Sequence, residues 1–309
     1  LLVLAPASPA LAGAPHRFVV FGDSLSDPGN AFVLLRDVEI PPFASLVPDA
    51  PYARGAFHFS NGPTWVEQLS LLDHALPSAG PALFIPLLFS NYAVGGARAR
   101  HEGPFDLSTQ VGLFVRDFHG QGPSGALYIV FAGGNDLRDA LQALALDPSG
   151  ATSAAIVQSA LFAIRDNLLT LHAAGARHFL VPNAPDISLA PAVRLLGPAA
   201  QGAARFLSTQ FNGGLEAILQ GLESGIGAGI VRLDVFRMLN EVVAAPAAFG
   251  LTEVTQPCIA LNTRVHAFCA TPGKFLFWDG IHPTVAGHRI LAERAKAALG
   301  AASALAATP

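Results

Sequence analysis

Cations are scarce in this chain of 309 residues: 18 Lys and Arg stand against 22 Asp and Glu, a formal net charge of −4. They form no cluster or stripe, so the footprint that a nucleic-acid backbone demands is missing and no nucleic-acid partner is expected. Charge of either sign is sparse, at 13% of residues against 51% apolar, which leaves ample material for a buried core. An unbroken spanning segment is lacking too. Ala75 to Ala97 is free of formal charge and long enough, but Pro77, Pro81, Pro86 and Asn91 interrupt it, so no stable membrane span is expected. No G-x-S-x-G stretch occurs, which argues against the nucleophile elbow of the α/β-hydrolases.

Cysteine is nearly absent. Cys258 and Cys269 flank His266, and structural zinc wants four ligands where only these three are grouped, so the simplest reading is one disulfide closing a short loop and no metal. A disulfide suits an exported chain. Leu1 to Ala12 runs apolar and small, ends in Ala10-Leu11-Ala12, and lacks a basic start, like the tail of a secretory leader with its cleavage site. Residues 1–12 are therefore read as a leader remnant and 13–309 as one domain, in a secreted, periplasmic or extracellular protein. An ordinary N-terminal strand is the rival reading, and Pro6 and Pro9 fit it poorly.

Short apolar runs alternate with longer helical patterns, the signature of βα units and a parallel sheet. The clearest runs are Arg17 to Phe21, Ala126 to Phe131, Arg177 to Val181 and Gly229 to Val235, with a weaker one at Leu87 to Tyr92. Thr152 to Ala174 reads as a helix closed by Gly175, Ala199 to Leu222 as another weakened by Gly213-Gly214, and Val285 to Leu299 as a last helix capped by Thr284 and stopped by Gly300. A proline-rich insertion over residues 36–60 follows the first βα unit and reads as a lid or pocket wall.

Gly22-Asp23-Ser24-Leu25 stands at the end of the first run, where parallel sheets place ligands, so Ser24 is either the cap of the next helix or a nucleophile. Far along the chain, Asp279-Gly280-Ile281-His282-Pro283 supplies a carboxylate and an imidazole three apart. A serine needs a base, and the base a carboxylate to fix its tautomer. A helix-capping pair, or a metal site of Asp279, His282 and His288, are the alternatives. Asn91 to Ala97, with Gly95-Gly96, and Gly133-Gly134-Asn135-Asp136 could offer backbone and amide donors to an oxyanion; each alone also reads as a strand-to-loop turn.

These four blocks, in this order, resemble those of the GDSL-type SGNH hydrolases, and the likeness covers Phe18 to His288. Ser60, Asn61, Gly62, Trp65, Glu67 and Pro185-Asp186 resemble the extracellular lipase, esterase and lecithinase-like branch, and the spacing resembles that of autotransporter esterase domains of bacteria. Pro28 and His58 depart from the family pattern. The resemblance implies a three-layer α/β/α, flavodoxin-like domain with a central, mainly parallel sheet of about five strands. It implies Ser24 as nucleophile, His282 as general base and acid, and Asp279 as orienting carboxylate. The implied oxyanion donors are the N–H of Ser24, that of Gly96 with Gly95 as alternative, and the Asn135 side chain. No cofactor is implied. The expected substrate is a small-molecule or lipid carboxylic ester with an apolar acyl chain; a carbohydrate acetyl esterase, an acyltransferase and a non-catalytic binding module are the alternatives.

Overall fold

Both faces of the first apolar run are covered, and this dictates the architecture around it. The computed structural model describes residues 17–35, 57–75, 77–259 and 269–306. The expected leader, residues 36–56 of the expected insertion, and His266 lie outside them. β1 (Phe18–Gly22), β2 (Leu127–Phe131), β3 (His178–Pro182) and β4 (Gly229–Leu233) are hydrogen-bonded in that order. All three pairings are parallel. β1 and β2 are buried at every residue, as a continuous apolar run in the middle of a parallel sheet should be.

Alternation along the strands sorts the core into two layers. Val19, Phe21, Tyr128, Val130, Phe179 and Val181 face one way. Against them pack α3 (Leu107–Asp117), α4 (Gly134–Leu146), α5 (Ala151–Ala173) and α7 (Pro198–Ile226), the short α6 (Pro191–Arg194) preceding the last. Phe18, Val20, Leu127, Ile129, Phe131 and Leu180 face the other way. They meet α2 (Trp65–Leu72), α8 (Val235–Ala244) and α9 (Val285–Ala306), while α1 (Asn30–Leu35) follows the β1 turn. A parallel sheet lies between two helical layers.

About five strands were expected, and among the described residues the sheet has four. The fifth place, outside β1, is held by residues 90–94. Val20 N–H donates to the Ser90 carbonyl at 2.9 Å, Tyr92 N–H to Val20 at 2.8 Å and Val94 N–H to Gly22 at 3.2 Å, with one parallel bridge at Asn91. Only one edge of this segment meets a strand. Its other side meets the irregular stretch 78–82, through Ser90 N–H to the Ser78 carbonyl, Asn91 N–H to Gly80 and Ala82 N–H to Asn91, and Asn30, whose amide donates to the Asn91 and Ala93 carbonyls, so only isolated bridges form. With this segment counted, the chain goes outward from β1 and returns on its other side to β2, which makes the carboxyl ends of β1 and β2 the switch point where such sheets bind ligands.

Two helices differ from the sequence reading. α9 continues through Gly300 to Ala306, because Ala301, Ala302 and Ala304 are strong helix formers and one glycine costs only about 1 kcal/mol. α7 absorbs Gly213-Gly214 because Ala204, Leu207, Phe211, Leu215, Leu219 and Leu222 keep one buried stripe along it. Thr284 does cap α9, its hydroxyl accepting from Gly287 N–H at 3.2 Å. A second, two-stranded parallel sheet, β5 (Glu253–Pro257) with β6 (Phe275–Phe277), is absent from the sequence reading. α5 is the one described helix long and apolar enough to cross a membrane by length and composition; Val157, Ile164, Leu168 and Leu171 on it are buried in the core.

Candidate active site

β1 ends at Gly22, where a Cβ would lie 2.4 Å from the Phe131 carbonyl oxygen, so only glycine lets the turn leave the sheet here. Gln110 clamps the two peptides that flank this residue: its Oε1 accepts from Gly22 N–H at 2.9 Å and its Nε2 donates to the Gly22 carbonyl at 2.8 Å. The chain then turns sharply, with Leu25 N–H donating to Asp23 Oδ1 at 3.0 Å and Ser26 N–H to the Asp23 carbonyl at 3.0 Å. Ser24 stands at the tip. It caps no helix, since α1 begins only at Asn30, where Asp27 receives the first amides.

The opposite wall is the turn between β6 and α9. Asp279 Oδ1 accepts from the N–H groups of Ile281 and His282, at 2.8 and 2.6 Å, and Oδ2 receives His282 Nδ1 at 2.7 Å. His282 Nε2 lies 2.8 Å from Ser24 Oγ. Serine, imidazole and carboxylate, 258 residues apart at their extremes, stand in one hydrogen-bonded line, all buried. Residues from the Ser60-Asn61 stretch pin this turn: Ser60 Oγ donates to the Pro283 carbonyl at 2.8 Å and Asn61 Oδ1 accepts from Val285 N–H at 2.8 Å. Phe59 packs against the His282 ring at 5.5 Å.

The two glycine-containing blocks frame Ser24 from the side. Asn135, in the first turn of α4, donates one amide hydrogen to the Ala97 carbonyl at 2.8 Å, which fixes the side chain and leaves its second hydrogen to give. Gly95 N–H is taken by Asp27 Oδ2 at 2.7 Å. Gly96 has φ of +80°, a conformation open to glycine, and among the described residues no acceptor takes its N–H or that of Ser24. Of the two glycines, Gly96 is therefore the one with a donor to offer.

From Ser24 and His282 a cavity of about 160 Å³ opens into the molecule, walled by Leu141, Ile187, Val193, Met238, Leu239 and Leu291 among others. Its few polar members, Asp23, Asn135, Arg138 and Asp186, line it near the serine or are tied elsewhere: Asp186 accepts from Ser188, Arg205 and Asn240.

His288 takes no part in the line. Its Nδ1 accepts from Trp65 N–H at 3.3 Å, and burial beside His282 and His58 holds its pKa down to about 3, so the ring stays neutral. His58, where the sequence departs from the family pattern, pairs with Glu67 at 2.8 Å. Cys258 and Cys269 form a disulfide, with their Cα atoms 4.8 Å apart, so neither is a thiolate ligand. Asp23, Asp27 and Gln110 were not singled out from the sequence. Gln110 carries no local signal, being one polar position of a helix that only the fold brings to Gly22.

Burial pushes the carboxyls of Asp23 and Asp27 up to about 6, against the backbone amides that favour their ionised forms. For Asp23 a stability consequence follows. A native pKa above the unfolded 3.8 means that the folded state holds the proton more firmly, so stability falls as pH rises from about 4 to 6 and the full cost stands above that. Asp23→Asn removes the buried charge while its amide oxygen can still accept from Leu25. The variant is expected to be about 1–3 kcal/mol more stable than the parent in urea unfolding at pH 8, with the advantage shrinking towards pH 4. Equal midpoints at pH 8 would contradict this.

The family model described as GDSL-like lipase/acylhydrolase matches residues 18–295. An uncharacterized protein from the trpE–trpG intergenic region of Pseudomonas putida is 29% identical over 97% of this chain and 51% of its own length. The thermolabile hemolysin of Vibrio parahaemolyticus is 26% identical over 90% of this chain and 62% of its own. The chain thus spans about half to three-fifths of the length of these curated relatives. Among solved structures, a variant of Axe2, an acetyl xylan esterase from Geobacillus stearothermophilus, aligns with a TM-score of 0.51 at 18% identity, covering 94% of this chain and 97% of that one. At that identity the likeness speaks for the fold.

Proposed function

This chain belongs to the GDSL-like lipase/acylhydrolase family, and from that premise we propose that it is a serine esterase that hydrolyses carboxylic esters with apolar acyl chains through an acyl-enzyme on Ser24. The observation that carries the reading is the line from Ser24 Oγ through His282 to Asp279, at 2.8 and 2.7 Å, opening onto an apolar cavity.

His282 Nε2 takes the Ser24 proton as Oγ attacks the ester carbonyl. Asp279 keeps the other ring proton on Nδ1 and stabilises the imidazolium that forms. The carbonyl oxygen, now an anion, accepts from Ser24 N–H, Gly96 N–H and the free hydrogen of Asn135 Nδ2. His282 then gives its proton to the departing alcohol, and a water activated by the same imidazole repeats the sequence on the acyl-enzyme, returning Ser24. The Cys258–Cys269 disulfide supports a periplasmic or extracellular setting.

The cavity carries the acyl preference. A comparable dry cavity of about 150 Å³ in another protein holds one benzene, so about six carbons fit here, and each buried methylene is worth about 0.8 kcal/mol, roughly fourfold in kcat/KM. With p-nitrophenyl esters of graded length, kcat/KM is expected to climb from acetate to about hexanoate and to fall by at least tenfold at dodecanoate. A maximum at acetate would overturn the apolar-acyl reading in favour of an acetyl esterase.

A further inference from the structure

Asp27 lies three residues past Ser24, fully buried, and it is not among the residues that line the cavity. Its two oxygens collect four backbone amides from two separate parts of the chain. Oδ1 accepts from Gly29 N–H at 2.8 Å and Asn30 N–H at 2.6 Å; Oδ2 accepts from Ala31 N–H at 3.1 Å and Gly95 N–H at 2.7 Å. Three of these donors belong to the start of α1, directly after the nucleophile turn. The fourth belongs to the loop that carries Gly96. Asn30, held by Asp27, reaches to the same loop through the Asn91 and Ala93 carbonyls.

Gly95 N–H is the donor immediately before Gly96 N–H. Asp27 fixes the Gly95 N–H on one side and the Ala97 N–H, donating to the Val94 carbonyl at 3.1 Å, closes the turn on the other, so the peptide that carries the Gly96 N–H is held between two anchors; without the first, two adjacent glycines leave it loose. The direction of the Gly96 N–H relative to Ser24 is then decided by Asp27, which is bonded to both segments at once.

We propose that Asp27 is a positioning residue of the oxyanion hole: its carboxylate takes Gly95 N–H so that the neighbouring Gly96 N–H is left free and aimed at the oxygen that becomes charged during attack by Ser24. The inference rests on the esterase reading above. It gives the two neighbouring glycines separate tasks, assigning Gly95 to the carboxylate and Gly96 to the substrate.

An amide cannot replace this carboxylate. With one oxygen and one NH2, Asn at position 27 must turn its NH2 towards either the Gly29 and Asn30 amides or the Ala31 and Gly95 amides, donor against donor. Because misplacing a reacting group by about 1 Å can cost on the order of 100-fold, Asp27→Asn is expected to lower kcat by about 10- to 100-fold while KM stays within twofold. A trifluoromethyl ketone, which Ser24 converts into a hemiketal oxyanion, should lose affinity by the same factor, while the matching alcohol product, which carries no oxyanion, should bind as before. A purely structural role would lower the melting temperature without this split between the two ligands. Asn135→Ala and Ser24→Ala serve as reference arms. Turnover retained by Ser24→Ala would count against the esterase reading itself, and an effect under threefold for Asn135→Ala would remove Asn135 from the oxyanion hole. With both arms behaving as expected, a kcat for Asp27→Asn within threefold of the parent, or unchanged ketone affinity, would overturn the role given to Asp27.

A measurement on the parent protein covers the case in which the variant does not fold. In glycine-labelled protein followed by amide exchange, Gly95 should exchange slowly from the outset, and Gly96 quickly until an organophosphonate occupies Ser24, then slowly. Fast exchange at Gly95, or protection of Gly96 in the free enzyme, would overturn the proposal.

Discussion

Ser24→Ala is expected to reduce ester turnover by about 10⁴- to 10⁶-fold while leaving the molecule folded. The two halves of that expectation have separate physical grounds. The hydroxyl is the atom that forms the acyl bond, and nothing adjacent can take its place: the Ser26 hydroxyl is buried and turned away, its Oγ accepting from Trp65 Nε1 at 3.1 Å. What survives is the acceleration that the donors and the binding cavity give to attack by water, about 10³–10⁴ over the uncatalysed rate in the well-studied serine hydrolases. Structure, by contrast, barely depends on the hydroxyl. Among the described residues Ser24 Oγ has one side-chain hydrogen bond, to His282, so its loss should change stability by about 1 kcal/mol or less. Initial rates on a hexanoate ester, mass detection of the phosphonate adduct and a thermal melt test this together. Turnover within 100-fold of the parent, or an adduct on the variant, would mean that the nucleophile lies elsewhere.

How far the site could be read from the sequence depended on whether its parts announce themselves locally. Ser24, Asn135, Asp279 and His282 sit in short motifs beside glycines, and each motif falls at the carboxyl end of a strand or just before a helix, so order along the chain and the logic of parallel sheets brought them to one place. Four strands were legible because each is a short run dominated by apolar residues, unbroken in β1 and β2 and interrupted only by His178 in β3 and Arg232 in the half-buried edge strand β4. Residues 90–94 were ambiguous because their order comes from one edge of β1, from Asn30 and from residues 78–82, none of which the segment itself contains. β5 and β6 went unread for a related reason: Glu253–Pro257 carries a glutamate, a glutamine and a proline, and only Val254 in it is buried.

The supporting residues were the least legible. Gln110 looks like an ordinary helical polar residue, and Asp27 like one more turn-forming acid between serine and proline. Their roles rest on backbone groups of other segments, Gly22 in one case and Gly95 in the other. The choice between Gly95 and Gly96 has the same character. Chemistry-bearing types betray themselves by identity, whereas the groups that hold them betray themselves only through distances that the fold creates.

Asp279→Asn should lower kcat by about 10³- to 10⁴-fold with KM and melting temperature close to those of the parent, and the reason lies in the three hydrogen bonds that this carboxylate accepts. Oδ1 takes the Ile281 and His282 amides at 2.8 and 2.6 Å, and Oδ2 faces His282 Nδ1 at 2.7 Å. An asparagine has one oxygen for these two places. If the oxygen stays with the two backbone amides, its NH2 faces the ring, and Nδ1 must then be the unprotonated nitrogen. The proton moves to Nε2, which donates to Ser24 Oγ and can no longer take the serine's hydrogen. If the side chain flips, the ring keeps the right tautomer, but the NH2 meets two N–H donors at hydrogen-bonding distance and leaves both buried amides unpaired, at about 1–3 kcal/mol each. The first orientation loses less, so the variant should fold with the wrong tautomer, a fault that costs about 10⁴ in kcat where it has been measured in an unrelated serine hydrolase. Phosphonate labelling of Ser24 should slow in parallel, because it needs the same base. A variant within tenfold of the parent in both assays would show that the tautomer is set by something other than Asp279.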